Sequence, residues 1–272
     1  MTAKLDKIKQ QNGMFFVSLE VKFVLCKHKL NLQKTFFYFV ISATLFTFVN
    51  NTGKDLFTYF LYKATNNMKI FAIGMNYAEH NKELHGTLNK PEEPVIFTKA
   101  DTALLKDGKP FFIPDDMGRI EYETELVVRI CKLGKTIPER FAHRYYDAVT
   151  VGIDFTAREL QKKLKDAGKP WEISKGFDGS AAIGDWMEKD KLKDIQSLQF
   201  HLDINGNTVQ EGFAGNMLYK VDEIISYISR YFTIKTGDLL YTGCPTGCGP
   251  VHIDDHLEGY LEDYKLLDFN CK

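Results

Sequence analysis

The chain has 272 residues, 35 basic and 36 acidic groups and a formal net charge of -1, a balance that offers no footing for nucleic acid. That average hides a seam: residues 1–67 carry nine lysines against Asp6, Glu20 and Asp55, a net +6, while the remaining 26 basic and 33 acidic groups give the rest -7. Cys26, Cys131, Cys244, Cys248 and Cys271 are odd in number and irregularly spaced, which excludes a disulfide framework and points to a reducing cytoplasm.

In residues 1–67 the run FFYFVISATLFTFV (Phe36–Val49) is apolar for 14 residues, short of the ~20 that span a bilayer and too deep for a secretory signal. This part is expected to be a non-domain extension. It is either upstream sequence ahead of a start at Met68, where MKIFAIGMNY opens at once on a strand-like run, or a short apolar anchor. Residues 68–272 suffice for one domain with a substantial core.

After Met68, KIFAIG reads as a strand, NYAEHNKELHG as a short helix closed by Gly86, and PVIFTK as a strand. RIEYETELVVRI (Arg119–Ile130) alternates strictly, the mark of a half-buried strand. Side chains two apart on one face lie ~6.6 Å from each other. Glu121, Glu123 and Glu125 therefore repel unless solvent, with Arg119 and Arg129 at the ends, or a metal ion offsets them. A helix near Pro138–Arg144 precedes YDAVTVGIDF, an apolar buried strand, and TARELQKKLKDAG is a helix ending at Gly168. Asn205-Gly206 between alternating runs signals a hairpin. VDEIISYISRYF is an amphipathic helix with Ile224, Ile225, Ile228 and Tyr231 or Phe232 inward. The C-terminal segments are strand and turn again. Strands outnumber helices without regular alternation, which favours a β-rich α+β fold on a mixed sheet over a doubly wound one.

Asp154 ends the buried strand, where a carboxylate is costly unless paired; a helix N-cap before TARELQ is the simpler role. Together Glu123, Glu125 and Asp154 are hard oxygen ligands suited to Mg²⁺ or Mn²⁺. His80 and Glu83 lie three apart on one helix face, where a carboxylate can fix the imidazole tautomer for proton transfer; a solvated face is the bland alternative. Arg158 and Gln161 share a face and could hold a substrate carboxylate, and Lys175 beside Gly176 could neutralise a developing enolate, although on the residues alone a solvated surface group is the simpler role for each. Cys244, Cys248, His252 and His256 recur every four residues, but their prolines and glycines forbid the helix that would align them, and structural zinc is set aside.

Seven blocks in register, GMNYAEHNKE, PVIFTKADTALL, IEYETELVV, GIDFTARELQ, SKGFDG, NGNTVQEG and GDLLYTGCPTGCGPV, resemble the fumarylacetoacetate hydrolase family over about 200 residues. RELQKKLKDAGKPWEISKGFD is most similar to its acylpyruvate hydrolase and oxaloacetate decarboxylase branch. The resemblance implies a mixed-sheet β-roll with few short helices, usually a homodimer, and Mg²⁺ or Mn²⁺ on Glu123, Glu125 and Asp154, with Glu121 excluded as a ligand. It further implies His80 and Glu83 as a water-activating dyad, with Arg158, Gln161 and Lys175 around a keto-acid substrate. Cys244 stands where the family's TGTPxG motif has threonine, so a weak thiol donor replaces a hydroxyl near the substrate.

The expected reaction is metal-dependent C–C hydrolysis of an acylpyruvate through pyruvate enolate, with oxaloacetate decarboxylation on the same site. The alternatives are isomerisation or decarboxylation of a hydroxylated dienedioate, and, in another class, an idle binding domain tethered to a membrane by residues 36–49.

Overall fold

The computed structural model describes residues 68–86 and 90–272 and, before them, the backbone of 2–11, 14–22 and 45–48. Two units divide the chain, Met1–Asn66 and Asn67–Lys272. In the first, β1 (Thr2–Gln11), β2 (Met14–Lys22) and β3 (Leu45–Phe48) form an antiparallel sheet in the order β1-β2-β3. Only Leu45–Phe48 of the apolar run lies within the described residues, and its backbone is a strand. Cys26 lies outside them. Among the described residues no helix is long and apolar enough to cross a membrane.

The second unit contains β4 (Ile70–Gly74), α1 (Ala78–His85), β5 (Val95–Lys99), β6 (Leu104–Leu105), β7 (Ile120–Tyr122), β8 (Thr124–Ile130), α2 (Glu139–Ala142) and β9 (Tyr146–Asp154). These are followed by β10 (Thr156–Ala157), α3 (Arg158–Asp166), α4 (Glu172–Lys175), β11 (Ala181–Ile183), β12 (Met187–Glu188), β13 (Gln199–Ile204) and β14 (Asn207–Phe213). The last elements are α5 (Val221–Tyr231), β15 (Leu239–Tyr241), β16 (Gly249–Pro250), β17 (His256–Leu261) and β18 (Tyr264–Asn270).

The largest sheet runs β5-β4-β15-β8-β9-β11-β6, with β12 beside β9; β15–β4 and β11–β6 are parallel and the other pairs antiparallel. A small sheet, β10-β7-β16, and a four-stranded one, β14-β13-β17-β18, complete a strand-rich mixed-sheet roll with a few short helices. The Asn205-Gly206 turn takes φ 53° and 77°, the left-handed pair a tight hairpin needs. Helix α5 lays Ile224, Ile225 and Ile228 into the main core against Phe71, Val128 and Leu240. Each such side chain contributes roughly 1.5–3 kcal/mol of burial. Of the two candidates for the last inward position, Phe232 sets its ring 5.3 Å from that of buried Phe71 while staying partly exposed, and Tyr231, the last helical residue, faces outward.

The expected half-buried glutamate strand is two strands. β7 pairs with β10 and β16, whereas β8 joins the large sheet, and Glu123 sits at the break between them. Both faces are buried, since Glu121, Glu123 and Glu125 point into an ionic cluster and not into water. The parity was right and the solvent was wrong.

Candidate active site

Glu123 leaves β7, Glu125 lies on β8 directly opposite Gly152 of β9, and Asp154 closes β9. Asp154 N–H donates to the Glu123 carbonyl at 2.8 Å, which fixes the two backbones side by side. The carboxylates of Glu123, Glu125 and Asp154 can offer oxygens all within 4.8 Å of one another, and all three residues are buried. Asp154 is not a helix cap, because the N-cap of α3 is Ala157.

Two glycines permit this approach. A Cβ on Gly152 would meet Val127 Cγ2 at 2.6 Å and the Ala182 carbonyl at 2.7 Å, so the strand carrying Asp154 seats closely only without a side chain there. Gly243 adopts φ +107°, a Cβ on it would meet Asn76 Cβ at 2.6 Å, and its N–H donates to Glu125 Oε2 at 2.7 Å. Asn76 in turn donates to the Tyr219 and Thr242 carbonyls at 3.0 and 2.7 Å, tying the start of α1 to the Gly243 loop.

Positive charge closes round the cluster. Lys175, the last residue of α4, donates to Glu123 Oε2 and Asp154 Oδ2 at 2.7 Å each and to Thr156 Oγ1 at 2.6 Å, which spends all three ammonium donors. Lys99, at the end of β5, lies 2.6 Å from Asp154 Oδ1 and donates to the Ser180 carbonyl at 2.8 Å. Arg158 reaches Glu121 Oε2 through Nε and Glu123 Oε1 through Nη2, both at 2.6 Å, and Gln161 Oε1 through Nη1 at 2.9 Å. Arg119 takes the other oxygen of Glu121 at 2.7 Å. Glu121 is therefore buried and doubly paired with arginines, which corrects its solvent-facing assignment.

Burial pushes the Glu123 carboxyl up, but Lys175, Arg158 and His80 outweigh it and hold Glu123 well below the usual carboxylate range. Glu125 goes the other way, with burial, Asp154 and Glu123 raising it against the Gly243 N–H. Lys175 is raised because Asp154 and Glu123 overcome its burial, whereas in Lys99 burial prevails despite Asp154. The two lysines share Asp154, but Lys175 also bonds Glu123 directly, and the Lys175 charge adds to burial in lowering Lys99.

His80 Nδ1 lies 3.2 Å from Glu83 Oε2 on α1, with His80 buried and Glu83 exposed. Gly247 N–H also approaches Glu83 Oε2, at 3.4 Å. His80, Glu123, Asp154, Arg158, Gln161, Lys175 and Cys244 line one cavity, which Trp171, Phe97 and Lys165 also wall. Glu125 and Glu83 do not line it themselves; they reach it through Asp154 and Glu123 and through His80. The thiol of Cys244 accepts from Gln210 Nε2 at 3.1 Å, and burial pushes it well above the usual cysteine value. Cys248 lies by His80 and Glu83, while His252 and His256 pair with Asp255 and Asp268. The expectation for Lys175 and Arg158 is sharpened: both are committed to protein carboxylates. Lys99 was missed altogether, because a lysine closing a strand looks like any surface lysine until the fold brings Asp154 to it.

A buried cluster of three carboxylates under a cavity of cationic, amide and imidazole side chains is the apparatus of an enzyme for a small anionic molecule. Residues 69–269 match the family described as Fumarylacetoacetate (FAA) hydrolase C-terminal, and the chain belongs to that family of enzymes. It is 36% identical over 203 residues to the mitochondrial oxaloacetate tautomerase of Mus musculus, covering 75% of this chain and 91% of that one. It is also 36% identical over 199 residues to an oxaloacetate tautomerase of Escherichia coli, covering 73% and 90%. The crystal structure of fumarylpyruvate hydrolase from Pseudomonas aeruginosa in complex with Mn²⁺ and pyruvate superposes with a TM-score of 0.70 at 30% identity, covering 75% of this chain and 88% of that one. Membership of an enzyme family removes the ground for an idle tethered domain.

Proposed function

We propose that the chain is a divalent-metal-dependent enzyme that forms and resolves the enolate of a small 2-oxo acid, interconverting the enol and keto forms of oxaloacetate. The observation that carries this reading is the buried triad Glu123, Glu125 and Asp154, with oxygens within 4.8 Å of one another. The donor set fits a hard divalent cation: the ligands are all carboxylates, and Glu125 has only the Gly243 N–H to offset its charge in the contacts described. Mg²⁺ or Mn²⁺ held there supplies, when bound, Lewis-acid stabilisation of negative charge on the 2-oxo oxygen. The likeness to proteins named oxaloacetate tautomerase supports the choice of substrate.

The chain's own residues divide the remaining work. Lys175 and Arg158 hold Glu123 and Asp154 in place and make the cavity positive where enolate charge develops. Gln161 accepts from Arg158 through Oε1, which leaves its amide N–H groups to orient a substrate carboxylate. His80, positioned by Glu83, takes the proton from C3 of the keto form and delivers it to the 2-oxo oxygen to give the enol, and the reverse transfer restores the keto form.

The second reading is C–C hydrolysis of an acylpyruvate. It is favoured by one observation, the His80–Glu83 pair, which can deprotonate water as readily as carbon. A homodimer in a reducing compartment completes the proposal, supported by the family likeness and by Cys131, Cys244, Cys248 and Cys271 all being free thiols.

The test is turnover of chelator-treated protein on enol-oxaloacetate, keto-oxaloacetate and several acylpyruvates, before and after Mg²⁺ or Mn²⁺ is restored. Metal-restored tautomerisation supports the first reading, acylpyruvate cleavage alone supports the second, and no metal-dependent turnover contradicts both.

A further inference from the structure

We propose that Lys165 anchors a second, distal carboxylate of the substrate and so makes the site selective for dicarboxylic 2-oxo acids. The inference rests on reading the cavity as a 2-oxo acid site. Three lysine or arginine side chains line that cavity: Arg158, Lys165 and Lys175. Arg158 is held by Glu121 and Glu123, and Lys175 by Glu123, Asp154 and Thr156. The Lys165 ammonium makes no hydrogen bond or ion pair among the described residues; its Nζ sits 4.7 Å from the centroid of the Trp171 ring. Every other cation on the wall is committed, and this one is not.

Its placement is built into α3. Arg158, Gln161 and Lys165 are spaced i, i+3 and i+7 and so share one helical face, the face turned to the cavity. Leu164 packs beside them in the interior. Trp171, whose ring lies under the Lys165 ammonium, packs in turn on Phe97 with ring centroids 6.1 Å apart. The Trp171 ring offsets only part of the cost of leaving this ammonium without an anion, since burial and the like charge of Lys175 pull Lys165 below the ordinary lysine value. An arriving carboxylate removes that cost, whereas a monocarboxylate ligand leaves it in place. The substrate's first carboxylate goes to the Gln161 end of the face and its second to the Lys165 end.

The experiment compares oxaloacetate with pyruvate, which is the same 2-oxo acid without the distal carboxylate. Dissociation constants are measured by calorimetry with Mn²⁺ present, for the full chain, Lys165→Met and Lys165→Arg. Loss of one charge-assisted contact in Lys165→Met weakens oxaloacetate by roughly ten- to a hundredfold. Pyruvate changes by less than about threefold, and Lys165→Arg recovers most of the oxaloacetate affinity. Equal weakening of both ligands in Lys165→Met, or of neither, overturns the anchor. A wild-type chain that binds neither 2-oxo acid overturns the reading of the cavity itself, and the anchor with it. A wild type that binds both but turns over neither sinks only the proposed reaction, while a tenfold loss confined to oxaloacetate still establishes the anchor.

Discussion

Lys175 Nζ lies 2.7 Å from Asp154 Oδ2, and both groups are buried. The same ammonium binds Glu123, so a single side chain joins the two ends of the acidic cluster. Lys175→Met leaves two buried carboxylates short of a partner and is expected to cost ~3–5 kcal/mol of stability, read by urea unfolding. Mn²⁺ is expected to restore part of that loss, because it neutralises the same oxygens. A variant as stable as wild type in chelator would show that the pairing carries no weight.

Removing a charge from the cluster acts in the opposite sense. Glu125→Gln relieves repulsion among three carboxylates while keeping volume and the oxygen that accepts from Gly243. In chelator its stability stays near wild type or rises. Saturating Mn²⁺ at about a hundred times its Kd stabilises wild type by ~2.7 kcal/mol, and the variant loses most of that increment. Thermal unfolding with and without metal measures both quantities.

His80→Ala separates proton transfer from enolate formation. Tautomerisation and hydrolysis both use its imidazole as the base, so the variant is expected to lose each by ~10²–10⁴-fold. Decarboxylation of oxaloacetate on the same site reaches the enolate without that base and falls much less. Equal loss of decarboxylation contradicts the assignment of His80.

The close seating of β9 is tested by Gly152→Ala. Its new methyl meets Val127 and the Ala182 carbonyl, which belong to strands on either side, so neither can move alone. The expected cost is ~1–3 kcal/mol, with weaker metal binding because Asp154 lies two residues further along the strand. An isothermal unfolding curve that superposes on wild type would contradict this packing account.

Thiol chemistry gives an independent check on burial. Cys248 is pushed up to about 12 by burial and by Glu123, against the pull of Arg158, and burial also pushes Cys244 well above the usual cysteine value. Both are thiols at pH 8, so iodoacetamide is expected to leave them unmodified in the native protein and to label them after unfolding, as read by peptide mass spectrometry. Rapid native labelling of Cys244 would contradict the enclosed cavity.

Much of this site could be read before folding was considered. Alternation picks out Glu123 and Glu125 on one parity, helical spacing pairs His80 with Glu83, and the likeness of the blocks adds Asp154. What alternation cannot say is whether a polar face meets water or an interior ionic cluster, since both look the same along one strand. Lys99 and the pairing of Glu121 with Arg158 depend on strands distant in sequence, and no local pattern marks them. The outward turn of Tyr231, against Phe232 on buried Phe71, likewise follows from where α5 leaves the core, which its periodicity does not record.

The central claim is that Glu123, Glu125 and Asp154 together hold a divalent cation, and Mn²⁺ titration followed by electron paramagnetic resonance tests it most directly. Wild type is expected to take up one Mn²⁺ per chain, and Asp154→Asn to lose that uptake by at least tenfold in Kd while keeping a cooperative unfolding transition. Undiminished Mn²⁺ binding by a folded Asp154→Asn chain would contradict the account.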